Sequence, residues 1–340
     1  MLNHIEPLLG KTLQELQAIA QEVGLPRFAG KQLAEWLYVR RATTFDEMTN
    51  ISLKGREALK ERYTVGRYAP IAEAISKDGT KKYLFQIGEQ FVESVYLPED
   101  DRATLCVSTQ AGCKMGCKFC MTGTLGFHGH LAAADILNQI FSIPDADKLT
   151  NIVYMGEGEP MDNLDNVLSS LEVMTSPWGC AWSPKRITIS SVGINKGLKR
   201  FIEESDCHLA ISLHNPFGAE RQEIMPIEKV NQLSDVLALL KQYDWSHQRR
   251  VSFEYICWGG VNDTAKHANE LVRILKGLDC RINLIRFHAG VDQSFPNSNE
   301  KQMEWMRDYL TTKGITTTIR RSRGEDILAA CGMLVNALKS

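Results

Sequence analysis

The sequence predicts an α/β fold: a partial (β/α) barrel preceded by a small N-terminal helical accessory domain. Three observations lead there. From about residue 100, short β-rich runs alternate with longer segments of helical periodicity. The first 65 residues carry helical patterns alone, and two strand-like runs joined through Gly88-Glu89 separate the regions. Repeated βα units imply a parallel sheet, and in such barrels chemistry sits at the C-terminal ends of the strands.

Each element follows in order. Leu13, Leu16 and Ile19 share one face of a helix over 12–23, and Leu33, Trp36 and Leu37 one over 30–40. Thr44-Phe45-Asp46-Glu47 reads as the capped start of a further helix. The runs 82–87 and 91–97 form a hairpin. Strands are expected at 103–108, 151–155, 186–191, 208–213, 251–256, 281–287 and 316–321. Helices are expected at 131–141, 164–174, 196–204, 233–243, 265–276 and 301–313. This divides the chain into an accessory domain (1–65), a hairpin linker (66–100) and a barrel domain (101–340).

Composition narrows the function classes. At 340 residues, 44% hydrophobic and 24% charged, the chain reads as a soluble globular protein. It has no apolar run long enough to span a membrane, and its first residues do not make a secretory signal. A cytoplasmic protein that avoids membranes is expected. Nine cysteines make no regular disulfide framework, and clustered cysteines in a reducing compartment suggest metal or redox chemistry. A net charge of −2 does not advertise nucleic-acid binding. The basic pairs Lys81-Lys82, Lys185-Arg186 and Arg249-Arg250, and the run Arg320-Arg321-Ser322-Arg323, read most plainly as solvated faces.

The chemistry is carried by Cys113, Cys117 and Cys120, in the pattern C-x3-C-x2-C between an expected strand and helix. Three thiolates on a tight loop can bind three irons of a [4Fe–4S] cluster, leaving the fourth iron open. Zinc is the rival, but no fourth Cys or His lies at close spacing. Further on, Gly156-Glu157-Gly158-Glu159-Pro160 follows a strand; its glycines allow close approach to a ligand, and a carboxylate can hold an ammonium. Ser190 and Ser212-Leu213-His214 lie at later strand ends, where a structural role is the plain alternative.

The cysteine spacing matches the radical-SAM signature, with Phe119 as the aromatic before the last cysteine; simple packing is the other reading of Phe119. The Gly-Glu-Gly-Glu-Pro loop resembles that superfamily's grip on the amino group of S-adenosylmethionine. The resemblance tightens to the RlmN/Cfr family of radical-SAM RNA adenosine methyltransferases. It rests on Asp78 to Phe85, Val92 to Pro98, Cys106 to Cys113, Ala210 to Pro216, Gly260 to Asp263, Ile282 to Ile285 and Arg323 to Gly332.

The resemblance implies a [4Fe–4S] cluster on Cys113, Cys117 and Cys120, and S-adenosylmethionine held by Gly158, Glu159, Ser190, Ser212, Leu213, His214 and His288. It implies two S-adenosylmethionine molecules per turnover. The first methylates Cys331. The second supplies a radical that draws hydrogen from the S-methyl group, so that its carbon adds to adenine. Cys106 then forms a disulfide with Cys331 to release the product, and Glu93 accepts the proton. The implied partners are 23S rRNA, tRNA and an electron donor such as flavodoxin, and the implied state is monomeric.

Two departures stand out. Glu157 replaces the usual Met and would add a charge near the ligand. In the run Ile285-Arg286-Phe287-His288-Ala289, His288 replaces the usual Asn. The expected activity is C2 methylation of adenosine 2503 of 23S rRNA and adenosine 37 of tRNA, because the stretch from Glu93 to Cys106, Pro98 to Leu105 included, resembles the housekeeping branch more. C8 methylation, or a non-catalytic Fe–S or zinc protein that binds RNA, are the alternatives.

Overall fold

The structure, a computed structural model, describes residues 5–246, 249–288 and 295–334. At the N-terminal end, β1 (Glu6–Pro7) and β2 (Tyr63–Thr64) pair in parallel around α1 (Leu13–Glu22), α2 (Ala29–Ala34) and α3 (Leu53–Lys60). A capping box between Thr12 and Glu15 starts α1, whose Leu16, Ile19 and Ala20 are buried. The second box, Thr44 with Glu47, closes only a 3₁₀ turn over Phe45–Glu47. The chain leaves the helical region at Met48 to bury Met48 and Ile51, and the helix begins later, at a Ser52 cap.

The hairpin lies in the central sheet. β3 (Ala72–Ile75), β4 (Lys81–Ile87) and β5 (Gln90–Pro98) pair antiparallel, and β5 pairs antiparallel with β6 (Ala103–Cys106), so the hairpin extends the central sheet. After β6 the short ribbon β7 (Gln110–Gly112) and β8 (Phe127–His130) frames α4 (Met121–Thr124). Then follow α5 (Ala133–Phe141), β9 (Asn151–Tyr154), α6 (Leu164–Thr175), β10 (Ile187–Ser191), α7 (Asn195–Glu204), β11 (His208–Ser212), α8 (Gly218–Ile224), α9 (Leu233–Leu240), β12 (Val251–Cys257), α10 (Ala265–Leu275), β13 (Cys280–Arg286), α11 (Glu300–Thr312) and β14 (Thr316–Ile319). The expected βα alternation is present, with α4 and α8 as additional helices.

The sheet runs β14-β13-β12-β11-β10-β9-β6-β5-β4-β3, parallel from β6 to β14. Sequential order is the mark of a barrel rather than a doubly wound sheet. Its edges, β14 and β3, do not pair, so the barrel is partial. It curls nonetheless: Arg320, just past β14, reaches across the mouth to Met155, just past β9, with Nη1 3.7 Å from Sδ. β12 is buried along its whole length, as a central parallel strand should be. One continuous apolar core joins the N-terminal helices to the barrel, with Tyr38 edge-on to Trp178 and Arg41 paired to Asp147 at 2.8 Å. Among the described residues no helix is long and apolar enough to cross a membrane.

Candidate active site and cofactor cavity

The cysteine loop begins at Gly112, whose φ of +71° and contact with the Gly126 carbonyl exclude a side chain: a Cβ there would stand 1.9 Å from that oxygen. Cys113 N–H donates to the same carbonyl at 2.9 Å, and Lys118 N–H to Ile224 at the end of α8, at 3.0 Å. So anchored, Cys113, Cys117 and Cys120 line one cavity of about 130 Å³, together with Gly158, Glu159, Ser190, Ser212 and His214. Burial pushes all three thiols up, Cys113 to about 12, so a metal must displace their protons to bind.

The donor set fits a four-iron cluster: three thiols from one loop line one cavity, and a cluster takes one thiolate on each of three irons.

Opposite the thiols, Gly158 has φ +98° and packs directly on Gln110. Glu159 accepts Met161 N–H at 3.0 Å and Val192 N–H at 2.9 Å. Burial raises its carboxyl to about 7 against those bonds. A ligand ammonium would return it to the charged form. His214 is buried, and burial with the nearby Arg221 lowers it to about 3. Its Nδ1 accepts Ile256 N–H at 3.1 Å, which leaves Nε2–H as a donor. Phe119 packs edge-on to His214 at 4.7 Å. A carboxylate for an ammonium, and a neutral imidazole with two hydroxyls for a carboxylate, suit an amino acid-bearing cofactor.

Arg221, which the sequence reading passed over, organises this wall. Fully buried on α8, its guanidinium donates to the carbonyls of Val192 (2.8 Å), Ser212 (2.9 Å) and Leu213 (3.1 Å) and pairs with Glu228. It ties the ends of β10 and β11 together under the cysteine loop.

A second cavity, about 540 Å³, fills the barrel interior. It extends from the N-terminal strand ends, at Asn151, Thr188 and Ser252, up to Cys106 and Cys331. Eight cations line it: Arg102, Lys185, Arg186, Arg250, Arg281, Arg320, Arg321 and Arg323, against Glu99. Most of these are exposed, as the basic runs predict, but only the curled sheet brings the separate strand starts together around one cavity. Burial, then Arg281 and Arg320, hold Arg250 below its usual pKa, with Glu254 opposing the shift.

Met155, Ile285, Cys331, Gly332 and Leu334 line both cavities and form the partition between them. Cys331 is solvent-accessible there, yet desolvation raises its thiol to about 11, with Arg320 opposing the rise. Cys106 is half-buried and raised to about 12, by burial first and then by proximity to Cys331.

Several expected site residues lie elsewhere. Leu213 is fully buried behind the cavity wall, and its N–H bonds Glu254. His288 lines the larger cavity, drawn there by Ser322 (2.6 Å) and Glu325 (3.5 Å); Ala289 lies outside the described residues. Glu157 is turned away from the ligand wall, and its carboxylate accepts Glu93 N–H at 2.8 Å. Glu93 is fully buried, paired with Lys82 at 3.0 Å, and lines neither cavity. Cys180, Cys207, Cys257 and Cys280 line neither cavity.

A curled (β/α) sheet with three loop thiols facing a carboxylate across one cavity defines the radical-SAM class, and residues 107–290 match the radical SAM superfamily model. Residues 7–65 match the ribosomal RNA large subunit methyltransferase N-terminal domain. A protein of Bacteroides thetaiotaomicron called probable dual-specificity RNA methyltransferase RlmN is 59% identical over 97% of this chain and 96% of its own. The dual-specificity RNA methyltransferase RlmN of Geobacter sulfurreducens is 39% identical over 97% and 92%. A crystal structure of a radical SAM methyltransferase from Sphaerobacter thermophilus superposes with a TM-score of 0.91 at 34% identity, covering 97% and 99%. The chain belongs to the RlmN family of radical-SAM RNA methyltransferases.

Proposed function

We propose that this enzyme methylates C2 of adenosine in 23S rRNA, at adenosine 2503, and adenosine 37 of tRNA, with Cys331 as methyl carrier. The observation that carries the reading is the position of Cys331, on the partition between a cysteine-lined cavity and a basic one. A carrier must meet both the methyl donor and the RNA, and no other cysteine lines both walls among the described residues. When bound on Cys113, Cys117 and Cys120, the cluster supplies electrons to S-adenosylmethionine for radical chemistry.

The chain's own residues do the rest. Glu159 holds the cofactor's ammonium, and His214, Ser190 and Ser212 hold its carboxylate and ribose. The basic lining draws phosphates to the N-terminal mouth of the barrel, and the adenine rises toward Cys331. Cys106, in the same cavity, takes up the Cys331 sulfur as a disulfide once the carbon is attached to the base. Glu93 accepts the ring proton; its burial requires the segment around it to shift during turnover. The relatives' names, dual-specificity RNA methyltransferases, support a second RNA substrate beside rRNA. A flavodoxin-like electron donor, a cytoplasmic setting and a monomeric state complete the reading.

Mass spectrometry of nuclease-digested RNA after reaction tests it. The expected product is 2-methyladenosine, and 8-methyladenosine would overturn the regiochemistry. Cys106→Ala is expected to hold its cluster and methylate Cys331, then stall as an RNase-sensitive covalent adduct. Normal turnover without an adduct would remove Cys106 from the mechanism.

A further inference from the structure

Lys82 is 1% exposed and pairs with the equally buried Glu93, Nζ to Oε1 3.0 Å. In register Lys82 faces Val95, and Val95 faces Cys106, so Lys82, Val95 and Cys106 make one row across β4, β5 and β6. Cross-strand neighbours in one row point to one side of the sheet, and Glu93 is the diagonal neighbour on that same side. Val95 and Cys106 line the large cavity, so all four side chains lie on the cavity-facing side of the sheet, with Lys82 and Glu93 buried outside its lining.

The same ammonium donates to the Leu328 carbonyl at 3.3 Å, three residues before Cys331. Leu328 has φ +53°, a conformation that a non-glycine residue keeps only when its surroundings hold it. Those surroundings are the β3–β4 turn. Ser76 Oγ donates to Asp326 at 2.5 Å, and Asp78 accepts Gly324 N–H at 3.0 Å. Beyond Cys331, Gly332 and Leu334 are fastened to the cysteine loop through Met121 N–H (2.8 Å) and Thr122 (3.0 Å). The segment carrying Cys331 is therefore a strap, pinned at both ends.

We infer that Lys82 is a positioning residue that binds the Glu93 carboxylate and the Cys331 strap with one ammonium, setting proton acceptor and methyl carrier relative to each other. The inference rests on the roles proposed above for Glu93 and Cys331. Fold stability is a poor reason for the pair, because well-packed apolar side chains serve a core at least as well as a buried ion pair. Because Glu93 is sealed behind this contact, freeing the base and loosening the strap are one event.

The test compares Lys82→Met, Lys82→Arg, Glu93→Gln and the Lys82→Met/Glu93→Gln double variant, all as reconstituted holoenzyme with iron content checked. Lys82→Met is expected to lower kcat for RNA by roughly one to two orders of magnitude, as misplacement of a reacting group does, with KM for RNA unchanged. Lys82→Arg is expected to recover most of that loss. The double variant is expected to lose less than the product of the two single losses, because Lys82 acts in part through Glu93 and in part through the Leu328 carbonyl. Wild-type turnover in Lys82→Met, or losses that multiply in the double variant, would overturn the inference. If Lys82→Met does not fold, Glu93→Gln alone decides: it is expected to raise hydrogen exchange over 324–331, and unchanged exchange overturns the coupling. Normal turnover by Glu93→Gln would instead strike the role of Glu93 itself.

Discussion

Replacing Arg250 and Arg281 with alanine tests whether RNA enters through the N-terminal mouth of the barrel. Of the eight cations in the large cavity, Arg102 is paired with Glu99, Arg320 with Glu254, and Arg323 donates to the Asp78 carbonyl. Lys185, Arg186, Arg250, Arg281 and Arg321 are exposed, with no carboxylate partner among the described residues. If those five each meet one phosphate of a single-stranded loop, log affinity falls against log salt with a slope of about −3.5. Binding then weakens about 100-fold between 50 and 200 mM salt. The double variant is expected to have a slope of about −2 and to weaken about 20-fold over the same range. Folding should be spared, because the two guanidinium groups repel each other. Fluorescence anisotropy of a labelled RNA hairpin across a salt series reads both slopes. An unchanged slope in a variant that still folds would refute this entry route, whatever happened to turnover.

Three further outcomes follow from the smaller cavity. Cys117→Ala should lose both iron and visible absorbance after anaerobic reconstitution; a variant still carrying about four irons, the load of a three-cysteine cluster, would contradict the ligand assignment. Burial puts the Glu159 carboxyl at about 7, and the charged form is the one that holds an ammonium, so cofactor affinity should rise with pH through about 7 and then level. Calorimetric titration should find that dependence absent in Glu159→Gln, and a pH-dependent variant would assign it to another group. Arg221→Leu leaves Glu228 as a buried charge without its cation, which should cost about 3–5 kcal/mol in denaturant unfolding; a loss below about 1 kcal/mol would mean that the ends of β10 and β11 hold without it.

Much of the site was legible because it is local. The cysteine loop, the Gly156–Pro160 turn and the strand-end residues Ser190, Ser212 and His214 each follow a strand, and the geometry of a βα unit delivers such residues to one rim. Arg221 was not legible. It lies in a helix without a strong periodic signal, and its role is to satisfy backbone carbonyls, which leave no mark in sequence. Lys82 was misread as a solvated charge, and the convergence of the cavity arginines was not legible, for a related reason. A basic pair looks alike whether it faces water, a carboxylate across a strand, or a basic lumen.

The sequence by itself determined the order of elements, the parallel sheet and the chemistry of the cysteine loop. Hydrophobic periodicity and ligand spacing act over a few residues, and they survive whatever the chain does at longer range. Only the tertiary structure decided that the hairpin joins the barrel sheet and that Arg320 spans its mouth to Met155. It also decided that Cys106 and Cys331, 225 positions apart in the numbering, share one cavity. Those facts depend on curvature and strand register, which set distances between residues remote in the chain. A one-residue slip of β4 against β5 would turn Lys82 away from Glu93 while leaving every local motif intact.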